Sequence, residues 1–139
     1  MSAFIAWFIA QFTKIIISLV KEKRLNFRLI TASGGMPSSH TSASCALTTS
    51  LAYVYSFDSP YFAIAAVFTL IVMYDATGVR RAAGEQAKIL NRIMDDLINK
   101  RSFEAGERLK ELIGHTPFQV IMGAFLGIAV GILYPLIVL

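Results

Sequence analysis

The sequence holds two histidines, and each stands where glycine, proline and hydroxyl residues announce the start of a helix. The first lies in Gly34-Gly35-Met36-Pro37-Ser38-Ser39-His40-Thr41. Its glycines allow backbone angles closed to other residues, Pro37 fixes the approach, and Ser38 or Ser39 can cap a helix that leaves free N–H groups at its positive end. An oxyanion binds readily at such an end. His40, just inside it, has an ordinary pKa of about 6.5 and can give a proton to a group held above it. The second histidine lies in Gly114-His115-Thr116-Pro117-Phe118-Gln119. Thr116 fits an N-cap and Pro117 a first helical residue, so His115 projects from the helix entrance with Gln119 one turn further in. Each segment alone also reads as an ordinary capped helix start. A nucleotide phosphate loop is excluded by the absence of Gly-Lys-Ser/Thr, and a serine-hydrolase elbow by the absence of Gly-x-Ser-x-Gly.

The elements that must position these residues are membrane helices. Of 139 residues, 55% are hydrophobic and only 16% charged, and the mean hydropathy is +0.60. The length predicts a single domain over residues 1–139. Ala3 to Val20 is apolar enough to cross a bilayer, which needs about 20 residues. No basic residue precedes it and no small-residue cleavage site follows, so it reads as a retained helix rather than a signal peptide. Ser39 to Ser56 is a second span, whose many Ser, Thr and Ala residues favour an interior position. Tyr61 to about Gly78 is a third and Pro117 to Leu139 a fourth. Gly123, Gly127 and Gly131 recur every four residues on the last, a stripe for close helix packing. Cys45, the sole cysteine, reads as packing. Between the third and fourth spans, Gln86, Leu90, Ile93, Met94 and Leu97 share one helical face. Phe103, Leu109, Leu112 and Ile113 predict a second short amphipathic helix ending at Gly114. The expectation is an all-α integral membrane bundle of about four transmembrane helices, with amphipathic helices between the third and fourth.

Twelve of the thirteen Lys and Arg residues fall in two blocks, 21 to 28 and 80 to 110, leaving Lys14 alone. In a soluble chain a pI near 9.4 would point to nucleic acid. Here both blocks are interhelical loops on one side of the membrane, so no nucleic-acid partner is expected. The positive-inside rule makes that side cytoplasmic and puts both termini outside. Lys21 and Arg28, Ser38 to His40, Asp75 to Arg81, and Gly114 to Gln119 then all meet at the cytoplasmic face, where a charged headgroup would sit. Asp75, Glu85, Asp95 and Asp96 match no metal-ligand motif, and no metal or cofactor is expected.

This ordered set resembles the type 2 phosphatidic acid phosphatase superfamily, related to vanadium-dependent haloperoxidases, and within it the short divergent membrane branch. Lys21 and Arg28 have the Lys-x6-Arg spacing of its first motif. Pro37-Ser38-Ser39-His40 is similar to Pro-Ser-Gly-His, and His115-x3-Gln119 to His-x3-Asp with Gln for Asp. Tyr74-Asp75-Ala76-Thr77-Gly78-Val79-Arg80-Arg81, followed by Gly84, Gln86 and Asn91, looks like the divergent branch.

The resemblance implies a metal-independent phosphatase acting on a lipid phosphate, a phosphomonoester or diphosphate, at the cytoplasmic face. Lys21, Arg28, Ser38 and Ser39 would hold the phosphate. His115 would attack phosphorus to form a phosphohistidine, and His40 would protonate the leaving alcohol. The arginine of the third motif should stand six residues before His115, where this chain has Leu109. Arg80 or Arg81, at a rigid helix end, would replace it in preference to Arg108. Asp75 is the candidate to take over from the missing carboxylate at Gln119, with Glu111 as runner-up, and an Asp75 ion pair with Arg80 or Arg81 competes with that role. The alternative is a non-catalytic membrane protein that keeps the anion cradle to bind lipid headgroups or organise partners. A four-helix bundle is thin for the superfamily, and with the glycine stripe it predicts a homo-oligomer.

Overall fold

A computed structural model describes residues 1–22, 35–101 and 114–138. Among the described residues five helices follow in order: α1 (Ser2–Glu22), α2 (Ser39–Tyr55), α3 (Pro60–Thr77), α4 (Val79–Arg101) and α5 (Pro117–Val138). The expected spans correspond to α1, α2, α3 and α5, and the stripe from Gln86 to Leu97 lies on α4. Arg28, Arg108, Glu111 and the second amphipathic helix from Phe103 to Ile113 lie outside the described residues.

Local chemistry sets the helix ends. Ser38 is the N-cap of α2. Ser59 caps α3, accepting from the Phe62 N–H at 3.2 Å, with Pro60 in the first turn where a missing N–H costs nothing. α3 stops at Gly78, whose N–H returns to the Tyr74 carbonyl at 2.8 Å.

Among the described residues three helical stretches are long and apolar enough to cross a membrane: Ser2–Val20, one within Pro60–Asp95, and Pro117–Val138. With 17 residues α2 rises about 26 Å, a little under the ~30 Å hydrocarbon core. It is the polar centre of the bundle. Its buried positions are Ser39, Thr41, Ser42, Ser44, Cys45, Ala46 and Ala52, and α1, α3 and α5 all pack against it. Large apolar side chains point the other way: Phe4, Phe8 and Phe12 on α1, Ile64 and Phe68 on α3, and Phe125 and Ile137 on α5 are all exposed. Lipid covers such a surface in an all-α membrane bundle.

The glycine stripe binds α5 to α2 in parallel register. A methyl group on Gly123 would lie 2.6 Å from the Ser38 carbonyl oxygen, one on Gly127 would meet the Ser42 oxygen and Cys45 Cβ, and one on Gly131 would lie 2.6 Å from Thr49 Cβ. The stripe is therefore occupied inside the chain, and it lends no support to self-association. α1 runs antiparallel to α2, since Ser50 Oγ donates to Ser2 Oγ at 2.8 Å near one end and Lys14 Nζ donates to Ser39 Oγ at 3.2 Å near the other. Thr48 Oγ1 bonds the Ala65 carbonyl at 3.0 Å and Thr69 Oγ1 at 2.9 Å, tying α2 to α3. Hydroxyl bonds of this kind contribute to helix association where the hydrophobic effect cannot.

Candidate active site

The register brings the starts of α2 and α5 and the end of α3 to one end of the bundle. His115 is held there by backbone: its N–H donates to the Ala76 carbonyl at 3.1 Å. Gly114 lies so close to α4 that a methyl group on it would stand 2.5 Å from Arg81 Cα. The Ser38 N–H donates to the Gln119 carbonyl at 3.1 Å, joining the two helix starts directly.

A cavity of about 290 Å³ opens beside this junction, lined at its polar end by His40, Asp75, Arg80 and His115. Ala43, Leu47, Phe68 and Val72 line the remainder and continue it along α2 and α3. Three segments far apart in sequence thus bring both imidazoles, a carboxylate and a guanidinium to one space.

His115 is 3% exposed, and neither ring nitrogen has a hydrogen-bond partner among the described residues. A buried imidazole without partners calls for an explanation, and a reactive role is one. Burial, followed by the charges of Lys14, His40 and Arg80, pushes its pKa down to about 4. The ring is therefore neutral near pH 7, with a free lone pair for attack.

Asp75 and Arg80 form an ion pair, Arg80 Nε lying 2.5 Å from Asp75 Oδ2. In an unbroken helix, residues five apart point about 140° away from each other; the interruption at Gly78 turns Arg80 back. Asp75 thus shares the cavity with His115 while hydrogen-bonding to the arginine. Arg81 is exposed and does not line the cavity.

Two expected roles meet a different geometry. Gln119, aligned by spacing with an acid that would orient His115, has its side chain engaged elsewhere. Its Oε1 accepts from the Thr116 N–H at 3.0 Å while its own N–H donates to Thr116 Oγ1 at 3.4 Å. This reciprocal pair is a capping box. Gln119→Ala is accordingly expected to lower stability by about 1 kcal/mol, seen in thermal unfolding, with turnover changed only a few-fold. A loss in kcat near 10⁴-fold, the scale of losing a histidine-orienting acid, would contradict that assignment. Ser38, expected in the cradle, is fully buried, and its Oγ accepts from the Thr41 hydroxyl at 3.0 Å and the Thr41 N–H at 3.5 Å. It shapes the helix start from within. Ser39 is also buried and accepts from Lys14. Lys21 sits in the last turn of α1.

Lys14 is the residue that sequence reasoning passed over. It is 3% exposed, and its charge is the largest electrostatic influence on His115. The available signal was a lone lysine inside an apolar span, a costly placement that marks function.

A helical membrane bundle whose polar end gathers two imidazoles and several cations is the class defined by this fold and site. The chain belongs to the Divergent PAP2 family, whose profile matches residues 1–130. It is 41% identical over 138 residues to the "Uncharacterized membrane protein YuiD" of Bacillus subtilis (strain 168), covering 92% of this chain and 87% of that protein. No solved structure matches significantly.

Proposed function

We propose that this protein is a metal-independent phosphatase of lipid phosphates, phosphomonoesters or diphosphates, working at the cytoplasmic face of its membrane. The observation that carries the reading is the single cavity shared by His40, His115, Asp75 and Arg80 and continued by apolar walls. Such a space suits a phosphoryl headgroup at one end and a hydrocarbon tail at the other. Family membership supports a phosphatase-related role.

In the proposed reaction a neutral His115 nitrogen attacks phosphorus, and the bond from phosphorus to the lipid oxygen breaks. His40 gives its proton to that oxygen, releasing the alcohol. Water then attacks the phosphohistidine, His40 takes up the proton, and phosphate leaves with His115 restored. Arg80 and the N–H groups at the start of α2 stabilise charge developing on the phosphoryl oxygens. Asp75 keeps Arg80 turned toward the cavity. Cationic residues on this side of the bundle orient it inward by the positive-inside rule, leaving both termini outside.

Because only neutral His115 attacks, kcat/KM falls on the acid side as that ring gains a proton in the free enzyme. The acid limb is expected near pH 4, following the lowered pKa of His115, rather than near the ordinary value of about 6.5. A pH series of initial rates on a short-chain lipid phosphate checks this, and a limb at pH 6 to 7 assigned to His115 contradicts it.

One observation favours a second reading, a non-catalytic protein that binds lipid headgroups. Gln119 closes a helix end instead of serving His115, so His115 lacks the carboxylate that would stabilise its cation. Phosphate release from a panel of lipid phosphates in EDTA separates the two: turnover supports the phosphatase, and headgroup binding without turnover supports the binder. Orthovanadate inhibits in the first case.

A further inference from the structure

A lysine belongs in a membrane span only when something makes its charge worthwhile. Lys14 lies seven residues before Lys21 on the antiparallel α1, at the level of the start of α2. Its amine donates to Ser39 Oγ at 3.2 Å. Its methylene stem lies along Gly35, whose φ of +83° lets the chain turn around it, with Lys14 Cδ 3.6 Å from where a Cβ would stand. Gly35, ahead of the α2 cap, thus packs directly on this side chain. Among the described residues its one hydrogen bond goes to a neutral hydroxyl, the ion pairs are Asp75–Arg80 and Glu85–Lys88, and no carboxylate pairs with Lys14. A buried ammonium with a single neutral acceptor is expensive, and an anion arriving beside it removes most of that cost.

Two further features stand at the same place. At the start of α2 the Ser38 N–H goes to the Gln119 carbonyl, the Thr41 N–H to Ser38 Oγ and the Ser42 N–H to the Ser38 carbonyl, which leaves the amides of Ser39 and His40 outside these bonds. His115, buried and with both ring nitrogens unpartnered among the described residues, stands at the adjacent start of α5. We infer that Lys14 is a phosphate-binding residue of this protein: with Ser39 and the first amides of α2 it forms an anion site that receives the phosphoryl group from the α1 side. The cation on which the phosphoryl group settles is therefore in the middle of the first membrane helix, ahead of the basic segment that follows that helix. The inference rests on the phosphatase reading for its ligand, a phosphoryl dianion. It can be tested without turnover.

The experiment is isothermal titration of the purified full chain in detergent with orthovanadate, for the wild type, Lys14→Met and the control Lys88→Met, an exposed residue outside the site. A charge-assisted hydrogen bond lost with its ion predicts about tenfold to hundredfold weaker binding in Lys14→Met, with Lys88→Met within about twofold of the wild type. Thermal unfolding provides the second readout. Methionine has nearly the same shape and no charge to bury, so Lys14→Met should unfold at the same or a higher temperature without ligand. Unchanged vanadate affinity in Lys14→Met overturns the inference, and so does a lowered unfolding temperature with affinity retained, which marks a structural lysine. The two proposals fail separately. Vanadate binding that depends on Lys14, with no lipid phosphate hydrolysed, removes the phosphatase and leaves the anion site. Turnover and vanadate affinity unaffected in Lys14→Met do the reverse, and a wild type with neither binding nor turnover ends both.

Discussion

His115→Ala lowers phosphate release at least about 10³-fold, the scale on which removing a covalent nucleophile acts. The expectation follows from what the ring does in the resting protein. Its nitrogens bond to nothing among the described residues, so cutting the side chain away leaves no polar partner stranded. The backbone bond from the His115 N–H to Ala76 survives the substitution. Helix content and unfolding temperature should therefore change little, and the loss should appear in kcat. His40→Ala should show a different pattern: a substrate whose alcohol leaves without protonation should suffer less than an ordinary lipid ester. Full activity in His115→Ala would remove it as the nucleophile.

The second large effect concerns the scaffold. Gly127→Leu should prevent the bundle from assembling, and even Gly127→Ala should lower stability by about 2–3 kcal/mol, in the range of overpacked cores. The new Cβ meets the Ser42 carbonyl oxygen and Cys45 Cβ, groups of the α2 backbone and its first side-chain atom that cannot swing aside. α5 must then move away from α2. Because the Ser38 amide and the Gln119 carbonyl tie the two helix starts together, the displacement reaches His40 and His115 as well. Thermal unfolding in detergent measures the loss. Ile128→Ala, at an exposed lipid-facing position beside it, is the comparison and should stay within about 0.5 kcal/mol.

Much of this arrangement is legible in the sequence because membrane helices announce themselves by length and hydropathy. Ser38, Ser59, Pro60 and Pro117 also mark helix starts by their capping chemistry. The grouping of His40, Asp75, Arg80 and His115 follows once the helix order is known, since alternating spans return those segments to one face. The glycine stripe is readable as a packing surface, but not its partner: only the parallel register of α5 on α2 places Gly123, Gly127 and Gly131 opposite Ser38, Ser42 and Thr49.

Register also explains what stayed hidden in the sequence. Lys14 reaches Ser39 because Ser2 pairs with Ser50 at the far end of the same two helices, a match of lengths that no local pattern encodes. Gln119 has a local signal for its capping bonds, since Thr116-Pro117-Phe118-Gln119 carries the capping-box spacing. Alignment with His-x3-Asp gave it a catalytic role because both readings use the same interval. The choice between Arg80 and Arg81 turned on the helix break at Gly78, whose direction depends on backbone angles.

The most direct test of a phosphoryl group held between two imidazoles is transfer of label from a ³²P-lipid phosphate to the protein in EDTA, with acid and base quenches compared. The account predicts an acid-labile, base-stable adduct in the wild type that is absent from His115→Ala, with free phosphate appearing only in the wild type. Phosphate released at the wild-type rate by His115→Ala, or an adduct that survives acid, would contradict it.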